Sequence, residues 1–110
     1  MHSPQASERI ALIAGTGTLP LTALQHLQNR GRSFFILSLF PEDNGDLLRQ
    51  AVTDPTVQFV AQPFYKVGEI RKLLRDRQAT HVLMVGKVDK RKLLARLSLD
   101  WEHISLTAAL

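Results

Sequence analysis

Arg9-Ile10-Ala11-Leu12-Ile13-Ala14 runs without a break into Gly15-Thr16-Gly17-Thr18-Leu19-Pro20. The continuous apolar run from Ile10 to Ala14, bounded by glycine, reads as a strand buried on both faces. Gly15 and Gly17 let the backbone bend sharply and approach a ligand with no Cβ in the way. Thr18 is placed to cap a following helix, and Pro20 falls in its first turn, where a missing N–H costs little. A buried strand passing through glycines into a helix start is how a parallel α/β sheet presents backbone N–H groups to a phosphate. An anionic, nucleotide-bearing ligand is the first expectation; a tight strand-to-helix turn with no ligand is the alternative.

Outward from this turn the pattern alternates. Leu21, Leu24 and Leu27 make one face of the first helix, and Gly31 stops it. A second strand lies in Ser33–Phe40, followed by the loop Pro41-Glu-Asp-Asn-Gly45. A short helix over Asp46–Thr53 turns Leu47, Leu48, Ala51 and Val52 inward and ends at Asp54-Pro55. Val57–Val60 is a third strand. A third helix of about a dozen residues carries Val67, Ile70, Leu73 and Leu74 on its core side and Arg71, Lys72 and Arg75 towards its wet side. His81–Val85 is the fourth strand; it ends at Gly86-Lys87-Val88, and Asp89 is placed to cap a fourth helix burying Leu93, Leu94 and Leu97. After Ser98 no clean period is visible in Trp101, Ile104, Leu106 and Leu110. The β-α alternation implies an α/β fold, a three-layer Rossmann-like open parallel sheet of about four strands with flanking helices and right-handed crossovers. Residues 1–8 read as a flexible N-terminal segment and 9–110 as one domain. The apolar ending Thr107-Ala-Ala-Leu110 has no capping signal and suggests a continuation.

The 110 residues suffice for one small core, with 45% hydrophobic and 22% charged side chains. No cysteine is present, which removes disulfides, zinc-thiolate sites and thiol catalysis. No stretch approaches the roughly 18 apolar residues of a membrane span, and no signal peptide is read, so a cytoplasmic protein is expected. The net charge of +4 is uneven. Residues 1–65 carry four basic and five acidic side chains, residues 66–110 ten and five. The second half is therefore suited to an anion, a polynucleotide or an acidic membrane surface, or is simply a solvated basic face.

The full dinucleotide fingerprint needs a third glycine where Pro20 stands, and an acid at the end of the second strand, where the chain reads Leu39-Phe40-Pro41. Glu42 and Asp43 lie just beyond, in a loop whose aim the sequence does not give. The turn is not a P-loop, since no Gly-Lys-Ser/Thr follows. In an open parallel sheet, ligands sit beyond the carboxyl ends of the strands where strand order reverses. If the first and fourth strands are neighbours, Lys87 converges there with Gly15–Gly17, and its ammonium beside backbone donors suits a phosphate. A solvated lysine is the alternative. Lys90, Arg91 and Lys92 crowd the start of the fourth helix, a conflict with the helix dipole that an anion or Asp89 would relieve. Phe64 and Tyr65 either line the same mouth or pack over the sheet edge. His2, His26, His81 and His103 lack ligand spacing, so no metal site is read. No nucleophile with a base at recognisable spacing is found, and Asp89 with Asp100 makes no acid–base pair.

Ile13-Ala-Gly-Thr-Gly-Thr-Leu-Pro20, with Val85-Gly-Lys-Val88 about 70 residues later, resembles the N-terminal domain of the LpxI family, UDP-2,3-diacylglucosamine pyrophosphatases of lipid A synthesis. Gly68-Glu-Ile-Arg-Lys-Leu-Leu74 is similar to the family's third helix, and the resemblance covers essentially residues 9–100. It implies a two-domain enzyme that hydrolyses UDP-2,3-diacylglucosamine to UMP and 2,3-diacylglucosamine 1-phosphate with a divalent cation, magnesium by expectation. The catalytic and metal-binding acids would lie mainly in a C-terminal domain absent from this chain, so this chain is expected to be inactive alone, to bind no metal itself and to contribute no catalytic residue. By the resemblance, Gly15, Thr16, Gly17 and Leu19 line the ligand turn, and Gly86, Lys87 and Val88 the facing strand end. Asp89-Lys90-Arg91 departs from the family, whose members often carry a small residue, Arg and Pro there. The implied partners are a UDP-diacylglucosamine-like substrate and the C-terminal domain. Peripheral contact with the inner membrane and a homo-oligomer are further expectations, and nucleic acid is not expected, since no aromatic residues interleave the basic run. The alternative function is a non-catalytic nucleotide- or dinucleotide-binding module.

Overall fold

The computed structural model describes residues 8–97 and 105–109. Five strands, β1 (Ile10–Ala14), β2 (Phe34–Ser38), β3 (Gln58–Ala61), β4 (His81–Val85) and β5 (Ser105–Ala109), alternate with four helices, α1 (Leu19–Asn29), α2 (Asp46–Ala51), α3 (Val67–Asp76) and α4 (Lys90–Leu97). All pairings are parallel, in the order β3-β2-β1-β4-β5. The chain thus winds outward from β1 to β3, then crosses back to lay β4 on the free side of β1. Ala14, the last residue of β1, is flanked in register by Ser38 on one side and Val85 on the other.

The central position of β1 explains its unbroken apolar run. Successive side chains point to opposite faces, and both faces are covered. Ala11 and Ile13 join Phe35, Leu37, Val82 and Met84 beneath Ile70 and Leu74 of α3 and Leu93 and Leu97 of α4. Ile10, Leu12 and Ala14 join Phe34, Ile36 and Val85 beneath Leu24 and Leu27 of α1 and Leu48 of α2. The expected three layers are present. The fifth strand extends the expected sheet: the backbone of Ser105–Ala109 pairs with β4, while residues 98–104 and Leu110, including Trp101 and Ile104, lie outside the described residues. Of the expected flexible segment, residues 1–7 also lie outside them; Glu8 is ion-paired with Arg32.

Local details depart from the sequence reading in three places. Leu47 is 44% exposed rather than inward, while Leu48 is fully buried and Ala51 and Val52 pack partly against the same core, as expected. The end of α2 is held by Gln28 of α1, whose amide donates to the Ala51 carbonyl and accepts from Thr53 and Asp54 N–H. Arg71 is half-buried on α3 rather than on its wet side. Thr18 occupies the N-cap position of α1, but its hydroxyl makes no capping bond, because the backbone there (φ −100°, ψ −12°) is already helical. Thr18→Ala is therefore expected to lower stability by well under the ~1 kcal/mol of a lost cap. The midpoint of urea unfolding checks this; a full 1 kcal/mol loss would contradict it. Among the described residues no helix is long and apolar enough to cross a membrane.

Candidate functional site at the sheet switch point

Strand order reverses between β1 and β4, so the first turn and Gly86-Lys87-Val88 lie side by side beyond the strand ends, as the sequence expects if those strands are neighbours. They are bonded directly. Gly15 N–H donates to the Val85 carbonyl at 2.8 Å, and Thr16 and Lys87 exchange reciprocal backbone hydrogen bonds, each 3.1 Å. This one-residue antiparallel bridge ties two turns that leave parallel strands.

The bridge explains two glycines without a ligand. A Cβ on Gly15 would lie 2.6 Å from the Lys87 carbonyl oxygen and 2.8 Å from its nitrogen. A Cβ on Gly86 would lie 2.8 Å from the Thr16 oxygen and 2.9 Å from Pro20 Cγ, and Gly86 holds a φ of +100°. Gly17 differs: its φ is +92°, but the space where a Cβ would stand is open.

The bridge also changes which donors face outward. The N–H groups of Gly15 and Thr16 are used by Val85 and Lys87. Gly17 N–H donates to the Asp43 carboxylate at 3.2 Å. Next to it, Asn44 donates from one amide nitrogen to the carbonyls of Gly15 (2.9 Å) and Gly17 (2.8 Å). Asp43 and Asn44 stand on a single wide helical turn, Pro41–Gly45, that brings them back over the glycines. The sequence reading left Asp43 unaimed and passed over Asn44; the Asx pair straight after a buried strand was the available signal. The donors left free at the start of α1 are the N–H groups of Thr18 and Leu19, which have no partner among the described residues. Helix α1 has no acid in its first turn, so the Asp43 carboxylate is the negative charge its positive end meets.

Opposite, Lys87 contributes its backbone to the bridge and leaves its side chain exposed, with no ion-pair partner among the described residues. Asp89 caps α4 as expected, accepting from Lys92 N–H at 3.0 Å. Lys90 turns back to donate to the Gly86 carbonyl at 2.8 Å, so part of the cationic crowding at the start of α4 is relieved within the chain. Leu19 is 47% exposed at the start of α1, on one side of the sheet, while Val88 is half-buried on the other side, in the lining of a cavity of about 340 Å³. Phe40, Phe64 and Tyr65 line that cavity, with Phe64 stacked on Phe40. His81 is at the other end of β4, near Glu8. Among the described residues no three His, Asp or Glu side chains cluster so as to hold a metal ion.

A phosphate brought to this turn meets the carboxylate of Asp43. Asp43→Asn keeps an acceptor for Gly17 and removes the charge. It is expected to tighten phosphate or pyrophosphate binding about two- to fivefold, the scale of one exposed charge pair. Titration calorimetry checks this, and weaker binding by the variant would show that Asp43 assists the anion.

The family model described as the LpxI N-terminal domain matches residues 9–110. None of the curated proteins compared with the chain matches it. Among solved structures, the Bordetella bronchiseptica enzyme WbmH in complex with NAD+ is similar at 18% identity and a TM-score of 0.57 over 76% of this chain and 27% of that one. The enzyme WbmG of the same organism, in complex with NAD, is similar at 18% identity and a TM-score of 0.59 over 91% of this chain and 30% of that one. The chain thus spans under a third of either structure, and at such identity the likeness shows the fold alone.

Proposed function

The chain belongs to the family of LpxI N-terminal domains, and from that membership we propose that it is the substrate-positioning part of a UDP-2,3-diacylglucosamine pyrophosphatase in lipid A synthesis. The observation that supports this reading is the bonded pair of turns at the switch point: exposed Lys87 is bridged through its backbone to Thr16, and the unpartnered N–H groups of Thr18 and Leu19 follow two and three residues after Thr16. In this role Gly15 and Gly86 hold the two turns together, and Gly17 gives the chain its path into α1. Thr16 and Val88 anchor the facing strand end, and Leu19 and Lys87 meet the phosphate–sugar region. The acids that activate water and hold a divalent cation belong to a C-terminal domain; no step is assigned to a metal on this chain. Acting on a lipid-bearing substrate, the domain would work on the cytoplasmic side of the inner membrane.

The test is to assay this chain, and the same chain extended by an LpxI-type C-terminal domain, with UDP-2,3-diacylglucosamine and magnesium. The reading expects turnover only in the extended form; robust hydrolysis by residues 1–110 alone would overturn the division of labour. The second reading, a nucleotide- or dinucleotide-binding module without catalysis, draws on the NAD-bound state of the two similar structures. Asp43 on Gly17 N–H weighs against a pyrophosphate seated deep in that turn. Equilibrium binding of NAD+ and of UDP-sugars to the chain separates the two.

A further inference from the structure

Asn44 reaches two peptide groups of the first turn from a buried position, 6% exposed. Its Nδ2 donates to the carbonyls of Gly15 at 2.9 Å and Gly17 at 2.8 Å. Both amide hydrogens are therefore committed, and the reversed amide would set Oδ1 against two carbonyl oxygens. Oδ1 itself is buried and makes no hydrogen bond among the described residues. An orphaned buried acceptor is destabilising, so stability alone does not favour asparagine here. The N–H groups of Asp43 and Asn44 both donate to the Phe40 carbonyl, at 2.9 and 3.3 Å, which fixes the turn that carries the side chain.

A trans peptide holds its C=O and N–H on opposite sides, and among the described residues no peptide is cis. The peptides of the turn alternate accordingly. Gly15–Thr16 gives its oxygen to Asn44 and its N–H to the Lys87 carbonyl. Thr16–Gly17 takes the Lys87 N–H on its oxygen and gives its own N–H to Asp43. Gly17–Thr18 gives its oxygen to Asn44, and its N–H, directed away, has no partner among the described residues. The first two peptides are held on both sides, the third by Asn44 alone. Gly17 meets open space, and glycine tolerates either orientation of the peptide that follows it. Reversed, that peptide would present a carbonyl oxygen where the Thr18 N–H now stands, and would repel an anion. We propose that Asn44 is a positioning residue: by holding the Gly17 carbonyl inward, it keeps the N–H groups of Thr18 and Leu19 turned out towards an anion. The anion rests on the proposed function; the alternation of hydrogen bonds does not.

Titration of this chain with inorganic sulfate, whose charge is constant near neutral pH, followed by amide NMR shifts and hydrogen exchange, tests the assignment. In the parent, sulfate is expected to shift the amides of Thr18 and Leu19. Asn44→Ala should bind sulfate about tenfold more weakly, the scale of one hydrogen bond to a charged group, and lose the response at Thr18. The Thr16 amide should stay protected from exchange in that variant, because the Lys87 carbonyl still holds it; a merely structural role would expose the whole turn, Thr16 included. Asn44→Asp keeps the shape but, ionised, has no hydrogen to donate, and should weaken sulfate at least as much. Should both variants fail to fold, the parent alone decides: the NMR couplings across the hydrogen bonds from Asn44 Nδ2 to the Gly15 and Gly17 carbonyls should persist at sulfate saturation. Their loss would overturn the proposal. So would parental sulfate affinity in Asn44→Ala, or a parent whose Thr18 and Leu19 amides do not respond to sulfate. If the extended form fails to hydrolyse UDP-2,3-diacylglucosamine while these sulfate results hold, the enzymatic reading fails and the positioning role stands.

Discussion

Gly86→Ala is expected to destabilise the domain by about 3 kcal/mol or more, and Gly15→Ala by a comparable amount. Both would place a methyl group under 3 Å from backbone atoms of the opposite turn, and a backbone cannot swing aside as a flexible side chain can. At Gly86 the positive φ adds roughly 1–2 kcal/mol for any residue with a Cβ, and forced overpacking adds about 1–3 kcal/mol. If the turns part to admit the methyl, the two reciprocal Thr16–Lys87 bonds are lost as well, at about 0.5–1.5 kcal/mol each. Against a typical domain stability of about 5–15 kcal/mol, either substitution brings the fold near its limit. Two controls separate crowding from backbone strain. Gly17→Ala meets open space at a positive φ and should cost only the ~1–2 kcal/mol of strain. Gly68→Ala, on an open face of α3, should add about 0.4–1 kcal/mol of stability by removing unfolded-state freedom. Urea unfolding of the four variants gives the ranking. Gly86→Ala and Gly17→Ala of equal stability would mean that the bridge does not constrain the turns.

This ranking marks where the sequence was legible. A glycine after a buried strand announces that something comes close to the backbone. It does not announce whether that is a ligand or another part of the chain. For Gly15 the visitor is Lys87, which is 72 positions away and adjacent only because β4 lies beside β1. The run Ile10–Ala14 could be read because a central strand must be apolar on both faces, and the pairing of the first turn with Gly86-Lys87 followed from the switch-point rule. Asp43 and Asn44 could not be placed, since their aim depends on one wide helical turn whose Pro-Glu-Asp-Asn-Gly sequence suits many loop paths. β5 was hidden because Ser-Leu-Thr-Ala-Ala holds a single large apolar residue, too few to show a period. Thr18 misled because a good capping residue at the right position caps only if its backbone is extended.

Lys87 separates structure from function within one residue, which makes it the sharpest test of the proposed role. Its N–H and carbonyl complete the bridge whatever its side chain is, and that side chain is exposed without an ion-pair partner among the described residues. Lys87→Ala should therefore leave stability within about 0.5 kcal/mol of the parent. In a form carrying an LpxI-type C-terminal domain, the same change should lower kcat/KM for UDP-2,3-diacylglucosamine roughly 10- to 100-fold, the value of one hydrogen bond from a cation to a charged group. Lys87→Arg should recover part of the loss, because the charge is kept while its geometry shifts. If the lysine serves only the bound ground state, the loss falls on KM; if its contact tightens as charge builds on the leaving phosphate, kcat falls too. Raising ionic strength should weaken the parent more than Lys87→Ala, since the screened charge is absent from the variant. Unchanged kinetics in Lys87→Ala would remove the side chain from the site and leave Gly86-Lys87-Val88 as a purely structural strand end. A parallel fall in stability and activity would assign the residue to folding, contrary to a bridge built from its main chain alone.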